Sequence, residues 1–522
     1  MNVVFVNDSE QELLTSSTAV TGRKHGPCTV GTSTARAARA PDERCPMFEG
    51  FMSAVAALNT NVLWGVPMVV LMLGTGVFLL VVTRGAVFTR FNVVMRYTTK
   101  TLLQRRDPSE AGEGTISPFQ AVCTALAATL GTGNIVGVAL AVATGGPGSI
   151  FWLWLSALAG MVIKFCEVTL SVAYRTRNER GEIVGGPMYY ISRGLGIGWL
   201  AALFAVFGFL ASFGIGASVQ ANSLAGSVNA TFGVPLPVIG VVVALLAGLV
   251  LIGGITRIAQ ITERLVPLAA VFYLLGAAAV LVVNAAEIPA AIAQIFRDAF
   301  TGTAATGGFL GATVMYACRV GMSRGVFTHE AGMGSAPIAH ASADTDHPAR
   351  QGLWGTFEVF FDSIVMCTVT GLVILTSGLW HADPMMSEGA MSSAAFGQSI
   401  PGGQYVVTVG LMLFAFATLI AWYYYGEKCV EYLFRRRRGW HVAVRVYQVA
   451  YVAMVFAGCV TNLDVVWEFA DCFNGLMAIP NLIALIALSP VIRRLATDFF
   501  RDPDRRRPRD ADYSGMLVFR DR

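Results

Sequence analysis

Gly131, Thr132, Gly133 and Asn134 stand in the middle of an apolar stretch that begins near Phe119. Glycine, threonine and asparagine are poor helix formers. The run therefore weakens a helix where a bilayer core demands satisfied backbone. N–H groups freed at a half-helix start can hold a carboxylate, and carbonyls freed at a half-helix end can hold Na⁺ or an ammonium group. Close packing of helices through small residues is the other use of such a run. Two further constellations have similar chemistry. Gln220 follows Phe213-Gly214-Ile215-Gly216 by about two turns and shares a face with Phe213. Ring plus amide makes either a pocket wall or an interhelical hydrogen bond. Thr418 and Trp422 are i and i+4, so a hydroxyl lies beside an indole. That pair suits a small-substrate site, or an interfacial Trp.

Charges inside apolar stretches are few. Lys164 and Glu167 lie three apart and read as a structural pair. Glu358 and Asp362 are i and i+4; an intramembrane acid is a functional candidate by default, so proton or cation coupling stays open there. Glu330 reads as a tie between loops. Enzyme motifs fail. His329-Glu330 opens an H-E-x-x-H pattern, but Met333 takes the place of the second His, and there is no P-loop. The nine cysteines are scattered, without a C-x-x-C pair.

The elements that must position these residues are membrane helices. Of 522 residues, 55% are hydrophobic and only 13% charged. A soluble chain carries roughly 25% charged residues. The net charge of +4 does not suit a nucleic-acid binder. Eleven apolar segments approach the length of about 20 residues needed to span a bilayer. They fall near 62–83, 118–143, 150–173, 198–225, 234–254, 265–284, 301–320, 353–378, 404–425, 446–463 and 470–492. The seventh is interrupted by Gly302, Gly307, Gly308 and Gly311. Residues 1–46 are polar and form a disordered extension or precede the true start at Met47; residues 496–522 form a basic tail. One set of alternate loops holds twenty-one Lys and Arg, Arg319, Arg324 and Arg350 among them; the other set holds Arg297. The positive-inside rule then puts the C-terminus in the cytoplasm and the N-terminus outside.

Gly131-Thr132-Gly133-Asn134-Ile135-Val136-Gly137-Val138, with Gly145-Gly146-Pro147-Gly148 and Phe151-Trp152-Leu153-Trp154, resembles the signature of the sodium:alanine (alanine or glycine:cation) symporter family. Gly185-Gly186-Pro187-Met188-Tyr189, Glu330-Ala331-Gly332, Tyr425-Gly426-Glu427-Lys428-Cys429 and Asn474 to Asn481 extend the match over roughly Met47 to Arg494. The resemblance implies an all-α polytopic protein with a LeuT-like fold. One leading helix precedes two inverted five-helix repeats, about 118–284 and 301–492 within 47–495, and each repeat opens with an unwound helix. It implies a symporter of the bacterial inner membrane, not an enzyme, that takes in a small neutral amino acid, alanine or glycine, with Na⁺. Substrate contacts would be Thr129, Thr132, Gly133, Asn134, Phe213, Gln220, Thr418 and Trp422. Sodium would meet carbonyls from Ala127 to Leu130 and the Thr418 hydroxyl. The chain departs from the family in two places: Ala417 stands where Ser is common, and Thr328-His329 where Ser-Asn is common. Proton coupling, or amino-acid sensing without translocation, are the alternative readings.

Overall fold

The computed structural model describes residues 46–103, 114–301, 310–381, 388–435, 437–461 and 464–504. Almost all of the 1–46 extension lies outside them. Among the described residues from Gly50 onward the chain is nearly all helix, with one two-stranded antiparallel hairpin that pairs Thr176 with Val184. Among the described residues, eight helices are long and apolar enough to cross a membrane: Met52–Val82, Ser149–Ala173, Gly198–Phe232, Gly254–Val283, Pro348–Ser377, Gly403–Phe434, Trp440–Val460 and Glu468–Ala487. Pro118–Thr129 and Gly133–Gly145 make a ninth if the bent pair is one span; their axes differ by 50°. Leu236–Leu251 has only 16 residues, and Leu310–His329 carries Arg319, Arg324 and His329. Neither of these two meets the same length and apolarity, so the described residues give eight spans, or nine with the bent pair, against the eleven expected.

The first broken helix begins at a capping box. Ser117 Oγ accepts from Gln120 N at 3.1 Å, and Gln120 Oε1 accepts from Ser117 N at 3.0 Å. Pro118 follows at the first helical position, where its missing N–H costs nothing. The helix ends at Leu130, whose backbone is extended (φ −74°, ψ 92°). A π-helical segment, Gly133–Gly137, restarts it. Ser212–Val219 and Phe360–Cys367 are also π-helical. Such segments collect at functional positions because they unsettle the regular i→i−4 ladder.

The seventh segment differs from the sequence expectation. Its helix is Leu310–His329, nine residues further along than 301–320. The break follows it, at 330–335, where Glu330, Gly332 and Gly334 all have positive φ (52°, 91° and 81°). Gly302, Gly307 and Gly308 lie outside the described residues. Gly311 is part of the helix. Arg319 and Arg324 are thus within a helix and not in the following loop. Arg319 Nη2 donates to the Thr60 carbonyl at 2.8 Å. Arg257, Arg264, Arg350, Lys428 and Arg445 likewise lie within helices, and Arg105, Arg106 and Arg436 lie outside the described residues.

Two more expectations need correction. Lys164 does not pair with Glu167. Its Nζ lies 3.3 Å from Glu358 Oε1, with both side chains fully buried. Glu358 Oε2 takes His340 Nε2 at 3.1 Å, and the Gln351 amide donates to His340 Nδ1 at 2.8 Å. An i,i+3 spacing permits contact, but the 25-residue Ser149–Ala173 helix here turns both groups toward other helices. Glu167 Oε1 instead accepts from Gly332 N at 3.0 Å and from Asn481 Nδ2. The C-terminal boundary also shifts. Ser489–Arg501 is a separate helix that buries Val491, Ile492, Leu495, Phe499 and Phe500, so residues 496–501 belong to the packed fold.

One end of the bundle is closed. Thr115 N donates to Ser342 O at 2.8 Å, Asp344 N donates to Ile116 O at 2.7 Å, and Arg175 Nη1 donates to Ala343 O at 2.7 Å. Lys428 Nζ joins Glu182 at 2.9 Å and Glu431 at 2.8 Å beneath them. At the other end a cavity of about 780 Å³ runs inward to Thr132 and Gly133.

Candidate ligand and cation site at the helix break

In an unbroken helix the Gly131 N–H would donate to Ala127 O. Here it donates to Asn134 Oδ1 at 3.0 Å. The Ala127 carbonyl loses that donor, and the helix end gains a cluster of carbonyls free to face a cation. Thr418 Oγ1 sits 3.4 Å from Leu130 O while donating to Phe414 O at 3.0 Å. Gly131 itself is pressed against this hydroxyl: a Cβ built there would lie 2.8 Å from Thr418 Oγ1 and 3.4 Å from Gln220 Oε1. Gln220 is buried, and its Oε1 has no hydrogen-bond partner. An orphaned buried acceptor is costly unless something supplies a donor or a cation. Leu130 O, Thr418 Oγ1 and Gln220 Oε1 therefore converge on Gly131 as three oxygen acceptors.

Asn134 is engaged as a brace. Its Nδ2 donates to Asp362 Oδ1 at 2.7 Å and to Asp362 O at 3.3 Å. Asp362 Oδ2 takes the Ser363 hydroxyl at 2.7 Å. The amide thus ties the break to the π-helical segment Phe360–Cys367. Gly133 faces the second broken helix: its Cβ would lie 2.8 Å from Thr328 Cγ2. The two breaks are adjacent through this contact.

The other expected residues are placed less centrally. Thr132 and Gly133 line the cavity. Thr129 is buried at the helix end, with only long contacts of 3.5 Å from its hydroxyl to Ala125 O and Leu126 O. Trp422 is fully buried, one turn from Thr418, and its Nε1 donates to Glu330 Oε1 at 3.1 Å. Glu330 also takes the Ser335 hydroxyl at 2.5 Å, so it ties the second break to the Trp422 helix. Phe213 is not brought to the break. It packs edge-on against Phe209 and Tyr447, at 5.3 and 5.4 Å between ring centroids. Its neighbours Gly214 and Gly216 turn instead toward Ala470 and Trp422.

His329 has a local structural role. Its Nδ1 accepts from Ala331 N at 3.0 Å, which leaves Nε2–H to face Ser156 Oγ at 3.0 Å. It satisfies the Ala331 N–H just beyond the helix, at the break, a role open to any side chain with an acceptor there. Sequence reasoning missed Arg324 and Asp471, which both line the cavity. Charges within spans are the signal that finds such residues. For Arg324 that signal was masked by ending the seventh segment at residue 320.

A helix broken at a buried acceptor cluster, beside a second broken helix and below a one-sided cavity, defines a membrane carrier of the broken-helix class. The solved structure of MhsT in complex with L-phenylalanine has the same LeuT-type fold, with a TM-score of 0.54 at 14% identity; the match covers 78% of this chain and 95% of that one. The profile of the sodium:alanine symporter family matches residues 49–512, and the chain belongs to that family. The sodium/alanine symporter AgcS of Methanococcus maripaludis is 44% identical over 449 residues, covering 85% of this chain and 96% of AgcS. The probable sodium/glutamine symporter GlnT of Bacillus subtilis is 37% identical over 452 residues, covering 86% and 90%.

Proposed function

We propose that this protein is a secondary active symporter that imports a small neutral amino acid, alanine or glycine, with Na⁺ across the bacterial inner membrane. It would do so with eleven spans, 118–284 and 301–492 forming the inverted repeats and the C-terminus cytoplasmic. The observation that carries the reading is the convergence of Leu130 O, Thr418 Oγ1 and the unpartnered Gln220 Oε1 on Gly131. Carbonyls of Ala127 and Leu130 with the Thr418 hydroxyl form a neutral oxygen set suited to Na⁺, which binds without a fixed negative charge when carbonyl dipoles point at it. Ala417 supplies no hydroxyl, so this set is one oxygen smaller than with Ser. Thr132 and Gly133, which line the cavity, carry the first N–H groups after the break, and such groups suit the carboxylate. Gln220 Oε1 suits the ammonium group. Bound Na⁺ completes the unwound helix, so loaded and empty carriers prefer different conformations.

Proton coupling is the second reading, and one contact favours it. The Asp362 carboxylate holds Asn134, which holds Gly131 N, so protonation at Asp362 reaches the break through two hydrogen bonds. Glu358 is committed to Lys164 and His340 and has no such path. The two are separated by uptake of labelled L-alanine into proteoliposomes. Accumulation above equilibrium driven by a Na⁺ gradient, and absent with matched K⁺, is the expected result. Accumulation driven only by a pH gradient moves the coupling to Asp362. Counterflow without accumulation removes the pump, and no flux at all leaves a binder.

A further inference from the structure

We propose that Arg324 and Asp471 form a second, outer docking station for the free zwitterion of a small amino acid, in the cavity above the helix break. The proposal rests on the amino-acid reading above and adds a step before the deep site.

Arg324 lies in Leu310–His329 and Asp471 in Asp464–Ala487, and both line the cavity that reaches down to Thr132 and Gly133. They are the charged side chains among its described lining residues. Among the described residues they make no direct ion pair with each other, although both face the same cavity. Asp471 Oδ1 is buried without a donor. The guanidinium lies 5.8 Å from the centroid of the Phe327 ring, on the same helix. Opposite charges kept inside a membrane protein without closing on each other are costly, and such groups mark ligand paths.

The chemistry selects the ligand. A guanidinium fork takes a carboxylate in two parallel hydrogen bonds. An aspartate takes an ammonium group. A molecule with both ends at once satisfies both walls. One with only a positive or only a negative end leaves one wall unpartnered and meets a like charge at the other. The volume of about 780 Å³ is far more than one alanine fills, which leaves room for a second molecule above the break.

The test is equilibrium binding of labelled L-alanine to the purified full-length protein, in a variant whose deep site is removed by Gln220→Leu and Thr418→Ala. The expected result is residual binding that needs no Na⁺. Glycine should compete for it, whereas alaninamide and propionate should not. Adding Arg324→Gln or Asp471→Asn should weaken it about ten-fold or more, the scale of a lost charge-assisted contact, while Arg324→Lys retains part of it. Residual binding indifferent to both neutralisations overturns the station, as does loss of all residual binding in a deep-site variant that stays monodisperse. If that variant does not fold, the contrast is read in otherwise wild-type protein. There Arg324→Gln raises the apparent KM for uptake about ten-fold and leaves Na⁺ activation unchanged; an unchanged KM overturns the station. Wild-type protein that binds no labelled alanine with Na⁺ present contradicts the amino-acid reading itself, and the station falls with it.

Discussion

At the scale of the residue, the account turns on Gly131. A methyl group there would meet Thr418 Oγ1 at 2.8 Å, and no flexible chain end can yield, because Thr418 is fixed by Phe414 O. Gly131→Ala should abolish Na⁺-driven uptake while the protein still reaches the membrane and runs as a single species by size exclusion. Uptake within two-fold of wild type, on the order of 0.4 kcal/mol, would show that the break tolerates a side chain. Trp422 makes a different claim. Its indole is clamped by Glu330 and stands one turn from Thr418, so in the proposed site it would set the depth of the floor. Trp422→Ala should let larger side chains compete with alanine; unchanged selectivity in a competition assay would place the floor elsewhere. Much of this was legible as letters. Gly131 to Asn134 stood out because glycine and asparagine are wrong for mid-span helix, and Thr418 and Trp422 because they share a face. Phe213 read equally well by spacing yet packs with Tyr447 and Phe209. Spacing predicts a shared face, but the π-helical winding of 212–219 rotates the faces of that helix.

At the scale of the element, the two breaks were read unequally. The first was visible because polar residues interrupt an otherwise apolar run. The second was misplaced, because a dense glycine run at 302–311 looked weaker than the break at 330–335. The latter is made by backbone angles at Glu330, Gly332 and Gly334 and by the hydrogen bonds that hold them. Its partners lie at Glu167, Trp422 and Asn481, more than ninety residues away in sequence, and no local pattern reveals them. The closed end is another product of long-range pairing. Burial alone would push the Glu182 carboxyl up, but Lys428 and Asn178 hold it below its ordinary value. A lowered value means the contact stabilises fully above the ordinary Glu pKa of about 4.3 and is lost as pH falls through the lower, folded value. It should therefore be intact from neutral pH down to about 5. Lys428→Met removes the shared cation and leaves Glu182 and Glu431 facing each other. A cysteine placed at Ser342 should then react faster with a thiol reagent. An unchanged rate would mean that the backbone contacts of Ile116 and Asp344 close this end without help.

At the scale of the whole molecule, the structure is open at one end and sealed at the other. Arg175, Arg177 and Arg180 lie beside the sealed end, which fits the proposal that this end is cytoplasmic. In that proposed orientation the cavity would face the outside, and import would begin with a molecule entering past Arg324 and Asp471. Each Na⁺ that crosses with it carries one charge through the membrane potential, roughly 2.3 kcal/mol per 100 mV, and the Na⁺ gradient adds to this. That energy can drive accumulation only if Na⁺ sits where the helix breaks, so that its presence decides which conformation is favoured. The central claim is therefore the cation site made by Leu130 O and Thr418 Oγ1. The most direct test is the Na⁺ dependence of labelled L-alanine uptake in wild-type and Thr418→Ala proteoliposomes at fixed alanine. The account predicts that Thr418→Ala shifts half-activation to about ten-fold higher Na⁺, as expected for one lost oxygen contact to a charge, with Thr418→Ser close to wild type. Half-activation at the same Na⁺ concentration in Thr418→Ala and wild type would contradict it.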